Sequence, residues 1–192
     1  MNNPLFSDTT IRLTALTRED LPTIARWYED ADMQRLFDAR PAAPRSITDL
    51  EQWLDGQRGA HNGVLLGIRR QTDDALLGYV ELDGILWAQR VGGLAIVIGE
   101  RAERGKGYGH AAMQLALRYA FDELNLHRVQ LTVFSYNTAA IRLYERLGFQ
   151  REGVYREFLE RDGQRHDMFL YGLLRREWKR TVTEHVERAD GS

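Results

Sequence analysis

Leu94-Ala95-Ile96-Val97-Ile98-Gly99, followed by Arg104-Gly105-Lys106-Gly107-Tyr108-Gly109 and then by His110 to Leu124, is the stretch that decides how this chain folds. Its first part is a short apolar, β-branched run flanked by glycines, as a strand in the middle of a sheet is. Its last part is rich in Ala, Leu and Met, with apolar residues on more than one face, and reads as a deeply buried helix. Between them, Gly105, Gly107 and Gly109 remove side chains where that helix begins. The first N–H groups of a helix lack internal partners and carry partial positive charge, which suits a phosphate. Glycine allows close approach and unusual dihedrals. Arg104 and Lys106 add charge beside the site. A strand, a basic glycine loop and a helix together make a pyrophosphate cradle.

Other phosphate loops fit less well. A Walker loop needs Gly, four residues, then Gly-Lys-Ser/Thr. Here Gly107 follows Gly105-Lys106, and Glu100 stands where the first glycine belongs. Gly107-x-Gly109-x-x-Ala112 does match the dinucleotide pattern locally. That pattern needs an acid after the next strand to hold a ribose, and here the strand runs into Ser135-Tyr136. A glycine turn without a ligand is the bland alternative, and the two flanking cations argue against it.

Working outward, Thr10 to Leu16 alternates as a strand. Thr17 offers an N-cap for a helix carrying Leu21, Ile24, Ala25, Trp27 and Tyr28, which is expected to end in the acidic patch Glu29-Asp30-Ala31-Asp32. Pro41 and Pro44 mark a loop, and Ser46 caps a second helix with Ile47, Leu50, Trp53 and Leu54 on one face. Val64 to Arg69 and Leu77 to Asp83 read as strands joined around Thr72-Asp73-Asp74. Val129 to Phe134 is a strand, and Thr138 to Leu147 a helix stopped by Gly148. Phe149 to Leu159 and His166 to Leu174 form a final hairpin turning at Asp162-Gly163. The order is β-α-α-β-β-β-α-β-α-β-β. It describes one mixed α/β domain over 1–192, with its core at about 10–178 and a polar tail from 179 to 192.

The 192 residues suffice for one ordinary domain, and an apolar share of 43% suffices for a core. A net charge of -2 argues against broad nucleic-acid binding, which needs a concentrated basic face. With no cysteine, thiol nucleophiles and zinc ribbons are excluded. The five histidines show no helical metal-ligand spacing, so no metal is expected. No run approaches about 18 apolar residues and no leader is evident, so the expectation is a cytoplasmic protein that makes no use of a membrane. The oligomeric state is not legible, and a homodimer stays open.

Arg104-Gly105-Lys106-Gly107-Tyr108-Gly109 resembles the Arg/Gln-x-x-Gly-x-Gly/Ala signature of the GNAT N-acetyltransferases. Asn137-Thr138-Ala139-Ala140-Ile141-Arg142-Leu143-Tyr144-Glu145-Arg146-Leu147-Gly148-Phe149 is similar to that family's Asn-x-x-Ala-x-x-x-Tyr-x-x-x-Gly-Phe element. The two stand in the family's order, with one helix and one strand between them. Within the family the chain looks most like the branch that includes ribosomal-protein and polyamine acetyltransferases.

The resemblance implies a central, mixed, mostly antiparallel sheet whose middle strands splay. It implies acetyl-CoA as co-substrate, its pantetheine arm paired with the backbone of Ile96, Val97 and Ile98. The pyrophosphate would lie on Arg104 to Gly109, and Asn137 would touch the arm or fix the loop. Tyr144 would protonate the departing thiolate. A backbone N–H near Val97 or Ile98 would serve the oxyanion. Several relatives carry a glutamate on the strand before the glycine loop, yet Gly92 to Gly99 contains no acid. Glu81, on the neighbouring strand, is the candidate base. A solvated carboxylate there, with no side-chain base at all, is the open alternative. Glu29, Asp30 and Asp32 are either attractors of a cationic amine or a solvated helix end. The acceptor is a primary amine: a protein N-terminus, a polyamine or another small amine. A non-catalytic acyl-CoA-binding regulator and a nicotinamide-dependent oxidoreductase are the alternative functions.

Overall fold

The computed structural model describes residues 5–178. The polar tail read at 179–192 and the first four residues of the N-terminal stretch lie outside the described residues. The strands are β1 (Ile11–Ala15), β2 (Val64–Arg70), β3 (Leu76–Leu86), β4 (Val91–Ile98), β5 (Arg128–Phe134), β6 (Gln150–Arg161) and β7 (Gln164–Leu174). They form one sheet in the order β1-β2-β3-β4-β5-β7-β6. Every neighbouring pair is antiparallel except β4 with β5, which is parallel. The helices are α1 (Leu21–Trp27), α2 (Ala31–Phe37), α3 (Ile47–Gly59), α4 (Tyr108–Arg118) and α5 (Thr138–Arg146).

Helix α2 corrects the sequence reading, which ended the first helix in the acidic patch. Asp30 is the N-cap of this further helix, its Oδ1 accepting from the Met33 N–H at 3.0 Å. The buried Gln34 stitches the segment down, donating to the Tyr28 carbonyl at 2.7 Å and accepting from the Ala43 N–H at 3.1 Å. Ser46 caps α3 as read, in a reciprocal capping box with Asp49. The last turn of the long helix widens after Arg118 into a π-helical turn over Tyr119–Glu123.

Two apolar layers sandwich the sheet. One gathers Leu77, Val80, Leu82 and Leu94 under α4 and α5, around Met113, Leu117, Phe121 and Tyr144. The other packs Leu21, Ile24, Trp27, Leu50 and Leu54 of α1 and α3 against Tyr79 and Val97. The nearly buried pair Arg69–Asp20, at 2.6 Å, ties the start of α1 to β2.

Gly99 ends β4 under the Trp27 ring. A Cβ there would lie 2.0 Å from a ring carbon. Gly99→Ala is therefore expected to lower stability by about 1–3 kcal/mol through overpacking. Urea unfolding would show it as a lower midpoint with unchanged slope.

The feature that positions the site is the β4–β5 seam. Pairing is confined to Val91↔Arg128, Gly92↔Val129 and Gly93↔Gln130. Beyond Gly93 the strands diverge, and no described partner strand takes the free edge of Leu94 to Ile98.

Candidate active site

The divergence opens a cleft of about 670 Å³ through the sheet. Leu94 to Ile98 form one wall and Gln130 to Phe134 the other. Met33, Leu36 and Phe37 of α2 add apolar lining, and residues of α4 and α5 line it as well.

The ladder decides which backbone groups of β4 face the cleft. The Gly99 N–H donates to the Leu77 carbonyl at 3.0 Å, and Gly78 stands opposite Ile98. In an antiparallel ladder bonded and non-bonded pairs alternate. Leu94, Ile96 and Ile98 therefore turn their N–H and C=O groups into the cleft. Val97 instead turns its backbone to Tyr79 of β3 and buries its side chain in the α1–α3 layer. Of the three β4 residues assigned by resemblance to the pantetheine arm, Ile96 and Ile98 have the geometry and Val97 does not.

The glycine loop divides in the same alternating way. Arg104, Gly105, Gly107 and Gly109 line the cleft, and Lys106 and Tyr108 do not. Gly105 and Gly107 have φ of 78° and 91°, the left-handed region that glycine favours, and Gly107 is the N-cap of α4. The free N–H groups of that helix start thus point into the cleft end. Lys106 lies on Glu103 at 3.1 Å, and Glu103 also holds Arg70 at 3.1 Å. Tyr108 packs against the core, with the Arg70 guanidinium 5.9 Å from its ring centre.

Arg104 does not extend toward the cleft mouth. Its Nε donates to the Ile98 carbonyl and its Nη2 to the Gly99 carbonyl, each at 3.0 Å, with Asp30 at 3.7 Å. The guanidinium fixes the end of β4 to the loop. Arg104→Ala is therefore expected to weaken acetyl-CoA and a truncated pantetheine thioester by the same factor. A calorimetric titration of both ligands checks this, and a loss confined to the pyrophosphate-bearing ligand would give Arg104 a direct phosphate contact.

Positive charge reaches the loop from elsewhere. Arg142 and Arg146, one turn apart on α5, line the cleft, and neither has an ion-pair partner among the described residues. His110, in the first turn of α4, also lines it. Its Nδ1 is buried without a hydrogen-bond partner among the described residues, and burial, then the Arg146 charge, lowers its pKa. From sequence, His110 is only the start of a helix, and both arginines occupy variable positions of the Asn137–Phe149 motif, which hides them.

Tyr144 lies on α5, 6% exposed, and lines the cleft. Its ring packs beside Phe149 and Tyr171, with centroids 5.9 and 6.4 Å away. Burial pushes its pKa up to about 12, so the hydroxyl stays protonated across the neutral range. That hydroxyl has no hydrogen-bond partner among the described residues. Asn137 caps α5 by accepting from the Ala140 N–H at 3.2 Å, and donates to the Leu36 carbonyl at 3.1 Å. It joins α2 to α5 across the cleft it also lines.

Glu81 stands on β3 opposite Ala95, one strand removed from the cleft, and is not among its lining residues. Its Oε1 accepts from Gln57 Nε2 at 2.6 Å. Burial and then the nearby Asp83 raise its pKa, against the pull of that hydrogen bond. The acids that do line the cleft are Asp83 and Glu103. Glu29 and Asp32 are exposed and outside the lining, and Asp30 is engaged with α2 and Arg104. The large aromatics Trp27, Tyr28, Trp53 and Trp87 lie outside it too. Phe37, Phe134 and Tyr144 are its aromatic members.

Residues 10–150 match the family model described as acetyltransferase (GNAT) domain. The chain belongs to the GNAT acetyltransferase family. It is 31% identical over 143 residues to the spermidine N(1)-acetyltransferase of Vibrio cholerae, covering 74% of this chain and 80% of that one. It is 28% identical over 180 residues to the spermidine N(1)-acetyltransferase of Escherichia coli (strain K12), covering 94% and 89%. The crystal structure of spermidine N-acetyltransferase from Vibrio cholerae in complex with CoA and spermine superposes with a TM-score of 0.81 at 27% identity, covering 90% of this chain and 99% of that one. This GNAT chain is thus an acetyl-CoA-dependent N-acetyltransferase, with the sheet and splayed strand pair of the fold. No described helix is long and apolar enough to cross a membrane. No group of three or more potential metal ligands occurs among the described residues.

Proposed function

We propose that this GNAT chain transfers the acetyl group of acetyl-CoA to a small cationic primary amine by direct attack in a ternary complex. The observation that carries the reading is the cleft. A strand edge with free hydrogen-bonding groups leads from a helix N-terminus to the fork of the sheet, with a protonated tyrosine on its wall.

Each end of the cleft has its own chemistry. At the α4 end, the N–H groups beyond Gly107 meet the pyrophosphate, and Arg142 and Arg146 supply countercharge. Along the cleft, the Ile96 backbone and the Ile98 N–H pair with the amides of the pantetheine arm, the Ile98 carbonyl being held by Arg104. The length agrees. Ile98 to Gly93 spans about 16 Å at about 3.3 Å per residue. An extended arm of about twelve bonds reaches roughly 14 Å at about 3.5 Å per three bonds. The thioester then lies near the fork. Tyr144 donates its hydrogen bond to the departing sulfur.

The relatives point to polyamines as the first acceptors to test. Spermidine, spermine, a peptide with a free N-terminus and an aminoglycoside should be compared, with free thiol as the readout. The reading expects the polyamines to give the highest kcat/KM. A peptide N-terminus preferred over every polyamine would move the acceptor assignment to the protein-acetylating side of the family.

A further inference from the structure

The β4 strand carries no acid, yet one carboxylate stands over it. Asp83 of β3 is opposite Gly93, the last β4 residue paired with β5. A Cβ built on Gly93 would lie 1.9 Å from Asp83 Oδ1. The Asp83 carboxyl therefore occupies the space in which a side chain of residue 93 would start. Glycine is needed at 93 for this close approach, the usual meaning of a glycine inside a strand.

Asp83 has no ion-pair partner among the described residues. The other acid lining the cleft, Glu103, is engaged by Arg70 and Lys106. Charges near Asp83 are few. Glu81 lies two residues back on the same strand and is hydrogen-bonded to Gln57. Among the lining residues, β4 and β5 bring no titratable side chain, and α2 brings Met33, Leu36 and Phe37. A carboxylate without an ion-pair partner at the fork, where the nearest walls carry no charge, attracts a cation.

We propose that Asp83 supplies the carboxylate that β4 lacks: reaching from β3 across Gly93, it holds the acceptor ammonium at the fork and takes the proton released as the amine attacks. The proposal rests on the acetyltransferase reading above. The bound ammonium first loses one proton to solvent. The neutral nitrogen then forms its bond to the thioester carbon, and the carbonyl π pair moves to oxygen. The nitrogen's surplus proton passes to an Asp83 oxygen. Collapse re-forms the carbonyl and breaks the C–S bond. The sulfur leaves with the bonding pair and takes the Tyr144 proton. The Asp83 proton returns to Tyr144 through solvent, and the products are the amide and free thiol. Glu81, outside the cleft, has no direct part. Partial burial already raises the Asp83 pKa, which suits an acceptor of protons.

The test uses the full chain with Asp83→Asn, Glu81→Gln, and the pair Asp83→Ala with Gly93→Asp, which moves the carboxylate to β4 itself. Spermidine is the acceptor, or whichever amine of the panel above releases thiol fastest. Asp83→Asn should lower kcat by roughly 10²-fold and raise the amine KM, with acetyl-CoA affinity unchanged by calorimetry. Glu81→Gln should stay within a few-fold of the native chain. The relocated carboxylate should recover at least about tenfold over Asp83→Ala alone, a gain a structural role would not give. If Asp83→Asn melts early, the Asp83→Ala and relocated pair decide. Native turnover with an inactive Glu81→Gln, or with no gain on relocation, overturns the inference. A native chain that binds acetyl-CoA yet acetylates no amine overturns the acetyltransferase reading and this inference with it.

Discussion

Tyr144→Phe is expected to lower turnover by roughly 10²–10⁴-fold while acetyl-CoA affinity and melting temperature stay near native. The substitution removes one oxygen and little volume. The ring keeps its packing beside Phe149 and Tyr171, so the core around α5 is intact. The hydroxyl has no partner among the described residues, so its removal strands no polar group. The glycine loop and the Ile96 and Ile98 backbone, which this account assigns to cofactor binding, are untouched. What is lost is a donor to the departing sulfur, an interaction made mainly in the transition state. The loss should therefore appear in kcat as fully as in kcat/KM. An acyl donor with a better leaving thiolate should recover part of the rate. Steady-state kinetics with a thermal melt checks this. Normal turnover with a lowered melting temperature would make Tyr144 a packing residue.

Gly107→Val is expected to weaken acetyl-CoA by about 10²-fold or more, the worth of two lost charge-assisted hydrogen bonds at about 1.5–3 kcal/mol each. Two effects act together. At φ 91° a β-branched residue is strained, which loosens the start of α4. A Cβ at Gly107 meets no protein atom within 4 Å, so the added bulk stands in the open cleft where phosphate would lie. Gly163→Val separates the two. Gly163 has φ 74° and equally open surroundings, but sits in the β6–β7 turn away from the cleft. It should lose stability and keep its acetyl-CoA affinity. Equal affinities for the two variants in a calorimetric titration would remove the phosphate assignment from Gly107.

Much of this architecture follows from short-range signals. The alternation of Thr10 to Leu16, the Ser46 cap and the Asp162-Gly163 turn are local, and each sits where its residues put it. Helix α2 escaped because Glu29-Asp30-Ala31-Asp32 reads as a solvated end. The signal was Asp30 as N-cap with Met33, Leu36 and Phe37 behind it, three apolar residues in a short polar segment. The residues of the loop were legible, but not their directions. Arg104 and Lys106 look alike beside a glycine turn, yet one ties down β4 and the other pairs with Glu103. Which backbone groups of β4 face the cleft depends on the register with β3, a long-range fact. Asp83 is hidden for the same reason. Only the pairing of β3 with β4 lays its carboxyl over Gly93, although two adjacent glycines inside a strand already mark a close approach. Glu81, two residues away on the same face of β3, pairs with Ala95 instead and does not line the cleft.

The most direct test of the central claim is to incubate the full chain with acetyl-CoA and a polyamine, following thiol release and the mass of the amine together. The account predicts one acetyl group gained by the amine for each thiol released, with both signals lost when either substrate is omitted. Tight binding of acetyl-CoA with no acetylated product from any amine of the panel would contradict it.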